Sequence, residues 1–190
     1  MRLTAVRNRK LTTTLVVASS LVALASCSDS SEDASPPKSS RTQTAKSPSP
    51  SATADSEDAE VIAAYKSSWA AQSEAYKKAS SDGTDLRKNT TLRALADIES
   101  DLSAMRKAGQ VTTGRPAIDP KITKVSEGDI TKATVSDCVD TTNWTLIDKA
   151  SKKKVPLPSQ RLAKYVSTAT LEKWGTKWMV TQLTAQNQAC

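Results

Sequence analysis

A stripe of mostly aromatic and apolar residues lies between Ala59 and Ser80. Its members, at spacings of three and four, are Val61, Tyr65, Trp69, Gln72 and Tyr76. Residues so spaced share one face of a helix, so the pattern predicts an amphipathic helix from Ala59 to Ser80. Asp82-Gly83 then ends it. Such a stripe is typical of a buried core, and it can instead line a ligand cavity.

A second helix is predicted between Thr84-Asp85 and Ala108-Gly109. Its apolar positions, at spacings of three, four and three, are Leu95, Ile98, Leu102 and Met105. Glycine suits the position just after a helix, because it adopts a positive φ without strain. Two helices are therefore expected to come first.

After Gly109 the apolar period changes toward two, and β-branched residues become frequent, which predicts strands. The predicted strands are Gln110–Thr113, Lys121–Ser126, Lys132–Asp140, Asn143–Asp148, Arg161–Lys173 and Lys177–Thr184. In the last, Trp178 and Val180 share a face while Lys177 points away, as in an antiparallel sheet covered on one side. The predicted fold is α+β, with two N-terminal helices packed on a curved antiparallel sheet.

The N-terminal apolar run, Leu11 to Ala25, follows several basic residues and is too short to span a bilayer. It ends in Leu24-Ala25-Ser26-Cys27, which resembles the bacterial lipobox. The resemblance implies a signal peptide over residues 1–26, a diacylglyceryl group on the Cys27 sulfur, and membrane lipid as the anchoring partner. The expected location is the outer face of the cell membrane in a Gram-positive type of envelope. The alternative is an ordinary secretory signal with a chance cysteine.

Residues 27–58 are rich in Ser, Pro, Thr, Ala, Asp and Glu, with no aromatic residue and no aliphatic one larger than Ala. A segment of this composition cannot bury a core, so a disordered tether is expected. A Pro-rich recognition segment and a glycosylated stalk are the alternatives. The remaining residues, 59–190, have the length of a single domain.

Two cysteines remain once Cys27 carries lipid, and they are Cys138 and Cys190. An exported domain lies in an oxidising compartment, so we predict that the two form a disulfide. A redox pair or metal ligation is the alternative, although the CxxC spacing is missing.

Charge and composition limit which partners and which catalytic mechanisms are possible for the domain. From Ala59 onward there are 20 Lys and Arg against 14 Asp and Glu, and the chain contains no histidine. The excess of basic residues suits anionic lipid, a cell-wall polymer or an envelope protein as partner, whereas no nucleic acid is expected outside the cell. Without histidine, Ser-His-Asp and Cys-His catalysis and His-ligated metals are excluded, and no cofactor or metal is indicated.

Three segments together resemble the nuclear transport factor 2-like superfamily in its bacterial lipoprotein setting. They are the Val61...Tyr65...Trp69 helix, the Asp137-Cys138-Val139-Asp140 strand leading to Trp144, and the hairpin from Lys173 to Val180. The resemblance implies a cone-shaped, cystatin-like α+β fold, in which helices cap a concave sheet and leave a pocket. Members include isomerases, dehydratases and non-enzymatic binding modules.

The residues expected at this pocket are Tyr65, Trp69, Tyr76, Asp137, Asp140 and Trp178. Asp137 and Asp140 point to opposite faces of a regular strand, so only one of them can reach the pocket. The favoured function is a non-enzymatic module that binds a ligand or an envelope partner. The alternative is a small isomerase- or dehydratase-like enzyme that uses an Asp or a Tyr, which a carboxylate or phenol at the pocket floor would favour.

Overall fold

Three helices precede six strands in a computed structural model that describes residues 50–190, with side chains from Asp55 onward. The helices are α1 (Pro50–Lys78), α2 (Leu86–Asn89) and α3 (Leu92–Ala108). The strands are β1 (Gln110–Gly114), β2 (Lys121–Ser126), β3 (Lys132–Asp140), β4 (Trp144–Asp148), β5 (Lys164–Trp174) and β6 (Lys177–Ala185). The α+β fold is confirmed. The signal peptide, Cys27 and the first part of the tether lie outside the described residues.

The strands form two antiparallel sheets, not the one long curved sheet that the sequence predicts. Four strands pair in the order β2-β3-β5-β6, and β1 pairs with β4 in a separate ribbon. The chain turns away from the larger sheet after β3, where Thr141 N–H donates to the Ala163 carbonyl and Trp144 N–H donates to the Thr141 carbonyl. This turn sends β4 back to β1 instead of extending the larger sheet.

Helix α1 begins nine residues before the predicted start at Ala59, within the segment expected to be a tether. Its early part is held by an ion pair, because Lys173 Nζ of β5 lies 2.8 Å from the Glu57 carboxylate. Composition shows that this segment lacks large apolar side chains, but it does not show a polar contact with a distant strand. The early part of α1 is thus connected to the sheet through Glu57.

The predicted second helix is interrupted, since α2 ends at Asn89 and α3 begins at Leu92. Thr90 forms a bridge with Val180 of β6, and Thr91 N–H donates to the Val180 carbonyl over 2.9 Å. The side chain of Thr90 is buried against Ser68 of α1, with 2.9 Å between their hydroxyl oxygens. The Thr91 N–H is thus bonded to the edge strand β6 and not to a helical carbonyl, whereas the Thr90 N–H still donates to the Leu86 carbonyl.

The main core lies between α1 and the inner face of the larger sheet. Its buried residues include Val61, Tyr65, Trp69, Val135, Val139, Leu171, Trp178 and Val180. A second cluster joins α1 to α2 and α3 through Ala71, Ala75, Leu86, Ile98 and Leu102. Among residues 50–190, no helix combines the length and apolar character needed to cross a membrane.

The C-terminal residues are tied to the centre of the larger sheet. Gln186 N–H donates to the Val166 carbonyl, and Val166 N–H donates to the Gln188 carbonyl. Cys190 then reaches Cys138 of β3 in a disulfide with a Cα–Cα distance of 5.8 Å. The predicted disulfide is confirmed.

Candidate functional site

A cavity of about 280 Å³ lies between α1, α3 and the strands β4, β5 and β6. The lining residues are Trp69, Gln72 and Tyr76 from α1, Ala94, Asp97, Ile98 and Asp101 from α3, and Trp144, Tyr165, Ser167, Leu183 and Ala185 from the strands. None of them is a lysine or an arginine. The cavity is therefore largely aromatic and apolar, with carboxylates contributed by one helix.

Three aromatic rings form a continuous wall of this cavity. The centroid of the Trp144 ring lies 6.1 Å from that of Trp69 and 5.2 Å from that of Tyr76. Both pairs meet edge to face, at interplanar angles of 77° and 71°. Edge-to-face pairs are favoured by the ring quadrupoles, so the wall is held in place by its own contacts.

The two carboxylates on α3 are one helical turn apart and each has a partner. Tyr76 Oη donates to Asp101 Oδ2 over 2.8 Å, while Arg93 Nε lies 2.8 Å from both oxygens of Asp97. Burial raises the pKa of Tyr76, and the nearby Asp101 charge raises it further. Tyr76 is thus a neutral hydrogen-bond donor, and Asp101 places a negative charge beside the cavity.

Tyr165 of β5 contributes a second phenol to the cavity. Burial raises its pKa, so the phenol is neutral near pH 7. Among the described residues, no hydrogen bond holds its hydroxyl. Tyr165 Oη is therefore available to a bound molecule as either a donor or an acceptor.

A buried hydrogen-bonded pair lies behind the cavity. Tyr65 Oη donates to Asp137 Oδ2 over 2.8 Å, and Asp119 N–H donates to Asp137 Oδ1 over 2.6 Å. The pKa of Asp137 is raised overall, because burial and the nearby Asp119 charge raise it while these two hydrogen bonds lower it. Neither Tyr65 nor Asp137 lines the cavity, so the pair serves to fix α1 on β3.

Replacing Tyr65 by Phe should lower the free energy of unfolding by about 2 kcal/mol, because it leaves the buried Asp137 carboxylate one donor short. The measurement is urea-induced unfolding followed by circular dichroism. Tyr165→Phe is the matched control, since it removes a phenolic oxygen that has no hydrogen bond among the described residues, and its expected cost is below about 0.5 kcal/mol. Equal costs for the two variants would contradict the assignment.

The structure separates the six residues that the sequence predicts at the pocket. Trp69 and Tyr76 line the cavity. Trp178 lies in the main core, with Lys173 Nζ 5.7 Å from its ring centroid. Asp140 lies away from the cavity, where Lys164 and the Thr142 N–H stabilise its carboxylate. Hydrogen bonds from Thr142 and Lys164 lower the pKa of Asp140 to about 2.

Several lining residues were not predicted as site residues. Asp97 and Asp101 stand four apart on the predicted second helix, the spacing that places two side chains on one face. That spacing is the sequence signal for them, but exposed acidic residues on a helix are too common for it to indicate a site. Tyr165 and Ser167 share a face of β5 and line the cavity, but nothing in the sequence shows that this face meets a cavity.

A larger open groove of about 1240 Å³ runs along the other side of α1. Its charged residues are Lys66, Glu74, Lys77, Lys78, Asp85 and Arg115. Two of its lysines are engaged within the chain, because Lys77 pairs with Glu74 and Lys78 Nζ donates to the Gly83 carbonyl. The six charged side chains in its lining make it the weaker ligand site, since small ligands are held mainly by concave apolar surfaces.

Comparisons with known proteins do not assign this chain to a family. No protein-family model and no curated protein sequence matches it. Among solved structures, the intermembrane space region of the chloroplast protein ARC6 has a TM-score of 0.46 and 11% identity, covering 70% of this chain and 97% of that one. Aln2 from a Streptomyces species has a TM-score of 0.37 and 15% identity, with coverages of 74% and 93%.

Proposed function

We propose that this chain is a lipid-anchored module of the cell envelope that binds a small molecule in the cavity between α1, α3 and the sheet. The observation that carries the proposal is the cavity itself, which combines an aromatic wall with a few polar groups. Helices that cap a sheet and leave such a cavity also support membership of the nuclear transport factor 2-like superfamily. Binding, without chemical conversion of the ligand, is the function we assign.

The positions of the ionisable groups favour binding over catalysis. A general base needs a carboxylate whose pKa is raised toward neutrality and which reaches the substrate. Asp137 has a raised pKa but is used by Tyr65 and the Asp119 N–H behind the cavity. Asp101 reaches the cavity, but it already accepts the Tyr76 hydroxyl. The buried carboxyl group with the raised pKa is thus not the one that a bound molecule would meet.

The location follows from the lipobox of the sequence, Leu24-Ala25-Ser26-Cys27. Lipid on the Cys27 sulfur would hold the module on the outer face of the membrane, and the Ser- and Pro-rich segment after it would act as a spacer. The excess of basic residues in the domain suits a surface of anionic lipid or cell-wall polymer. The ligand then comes from the envelope or from the medium around the cell.

The proposal predicts that a compact neutral guest, 3,3-dimethylbutan-1-ol, binds to the full chain at one saturable site. The measurement is a titration followed by NMR of the four indole N–H groups. Signals of Trp69 and Trp144 should shift, because their rings line the cavity, whereas that of Trp174 should stay in place. Trp174 lies outside the cavity and is 43% exposed.

Ala185→Trp provides a variant that blocks the cavity, since Ala185 lies at its exposed margin on β6. Gln182→Trp is the matched control, because alternate residues of a strand point to opposite faces and Gln182 does not line the cavity. The blocked variant should lose the shifts and the control should keep them. Binding that persists in Ala185→Trp would refute the assigned site.

A further inference from the structure

We infer that the cavity takes an alkylated ammonium group, such as a trimethylammonium head, an inference that rests on the proposed function. The first observation is the local charge. From Ala59 onward basic residues outnumber acidic ones by 20 to 14, yet the cavity lining contains Asp97 and Asp101 and no lysine or arginine. Arg93 balances the charge of Asp97, so the negative charge left at the cavity is that of Asp101, which has no basic partner among the described residues and favours a positively charged guest.

The aromatic wall supports the same class of ligand. A cation is attracted to the negative face of an aromatic ring within about 6 Å, and aromatic cages of this kind recognise quaternary ammonium groups. Trp144 stands at steep angles of 77° and 71° to Trp69 and Tyr76. Rings at such angles form a corner and not a flat stack, so a compact guest in this corner contacts more than one ring.

The hydrogen bonds around the cavity separate an alkylated ammonium from a primary one. A primary ammonium brings three N–H donors that need acceptors. Arg93 occupies both oxygens of Asp97, and the Tyr76 hydroxyl occupies Oδ2 of Asp101, so Asp101 Oδ1 is the one carboxylate oxygen at the cavity without a partner among the described residues. A single free carboxylate oxygen does not satisfy three donors. A trimethylammonium group needs charge and apolar contact without any acceptor, and the cavity supplies both.

The size of the cavity limits the ligand to a small molecule or the end of one. Its volume of about 280 Å³ lies just below the range of sites for drug-sized ligands, about 300–1,000 Å³. One trimethylammonium head with a short chain is of suitable size. Tyr165 Oη, which has no hydrogen bond among the described residues, is available to an oxygen on such a chain.

Choline and 3,3-dimethylbutan-1-ol provide the test, because they share shape and hydroxyl group and differ mainly in the positive charge. We expect the full chain to bind choline at least ten-fold more tightly than the neutral alcohol, as measured by NMR titration of the indole N–H signals. The preference should fall as NaCl is added, since salt screens the attraction between exposed charges.

Asp101→Asn should remove most of this preference, because the amide oxygen still accepts the Tyr76 hydroxyl while the charge is lost. Asp129→Asn, in the exposed turn between β2 and β3, is the matched control and should keep the preference. Unchanged preference in Asp101→Asn would overturn the inference.

The outcomes separate this inference from the proposed function. Equal affinities for choline and the neutral alcohol would overturn the inference and leave the binding function standing. Binding of neither compound would overturn both. Vesicles of phosphatidylcholine identify the source of the group: retention of the full chain with its Cys27 lipid removed, lost in Asp101→Asn, indicates a lipid head group. Binding of free choline alone indicates a soluble molecule.

Discussion

Reducing the disulfide should lower the free energy of unfolding of the domain by roughly 4 kcal/mol, the largest effect that we expect from breaking a single bond. Cys138 and Cys190 are 52 residues apart, so the bond closes a long loop and restricts the unfolded chain. The tail from Gln186 to Cys190 also loses its tie to β3 and is then held by its hydrogen bonds with β5, which join its backbone to Val166 and the Gln186 side chain to Thr168. The measurement is urea unfolding with and without a reducing agent.

The double variant Cys138→Ser/Cys190→Ser separates loss of the bond from effects of the reductant, and it should reproduce the lower stability. Its unfolding midpoint should not change when reductant is added. Two thiols that react with an alkylating reagent in the native, unreduced protein would contradict the pairing. So would a domain whose unfolding midpoint is insensitive to reductant.

The local elements could be predicted from the sequence because local patterns determine them. The alternation of apolar residues gives β2 and β3 with the observed ends, and Gly109 ends α3 with a φ of 65°. The predicted second helix fails at Thr90-Thr91 for a non-local reason. Its backbone there bonds to Val180, which is about 90 residues away in the sequence. Helical periodicity contains no information on that partner.

The site was predictable only where it coincides with the apolar stripe of α1. Trp69 and Tyr76 belong to that stripe and line the cavity, whereas Tyr65 has the same spacing and is buried behind it. Periodicity gives the face of a helix but not which part of that face meets a neighbour. Asp101 lines the cavity because α3 packs beside Tyr76. That contact depends on how α1 and α3 are connected and on the packing of β6 against α3.

Replacing Gly114 by Ala should destabilise the domain by roughly 4 kcal/mol and distort the aromatic wall of the cavity. Gly114 has a φ of +75°, and an added Cβ would lie 1.9 Å from the Asn143 carbonyl oxygen. The positive φ costs roughly 1–2 kcal/mol for an L-residue, and overpacking typically costs a further 1–3 kcal/mol. Since Gly114 pairs with Trp144 across β1 and β4, the backbone that must move carries the indole at the centre of the wall.

Gly109→Ala is the matched control for this prediction, because Gly109 has a φ of +65° but nothing lies within 4 Å of its added Cβ. It bears the cost of the positive φ alone, so we expect a loss of about 1 kcal/mol and an unchanged cavity. Urea unfolding measures both losses, and titration with 3,3-dimethylbutan-1-ol at a temperature where both variants are folded reports on the cavity. Binding should weaken at least several-fold in Gly114→Ala only. Similar losses of stability in the two variants would show that the Asn143 backbone moves away from the added Cβ at little cost. The close approach of β1 to β4 would then not be what holds Trp144 in the wall.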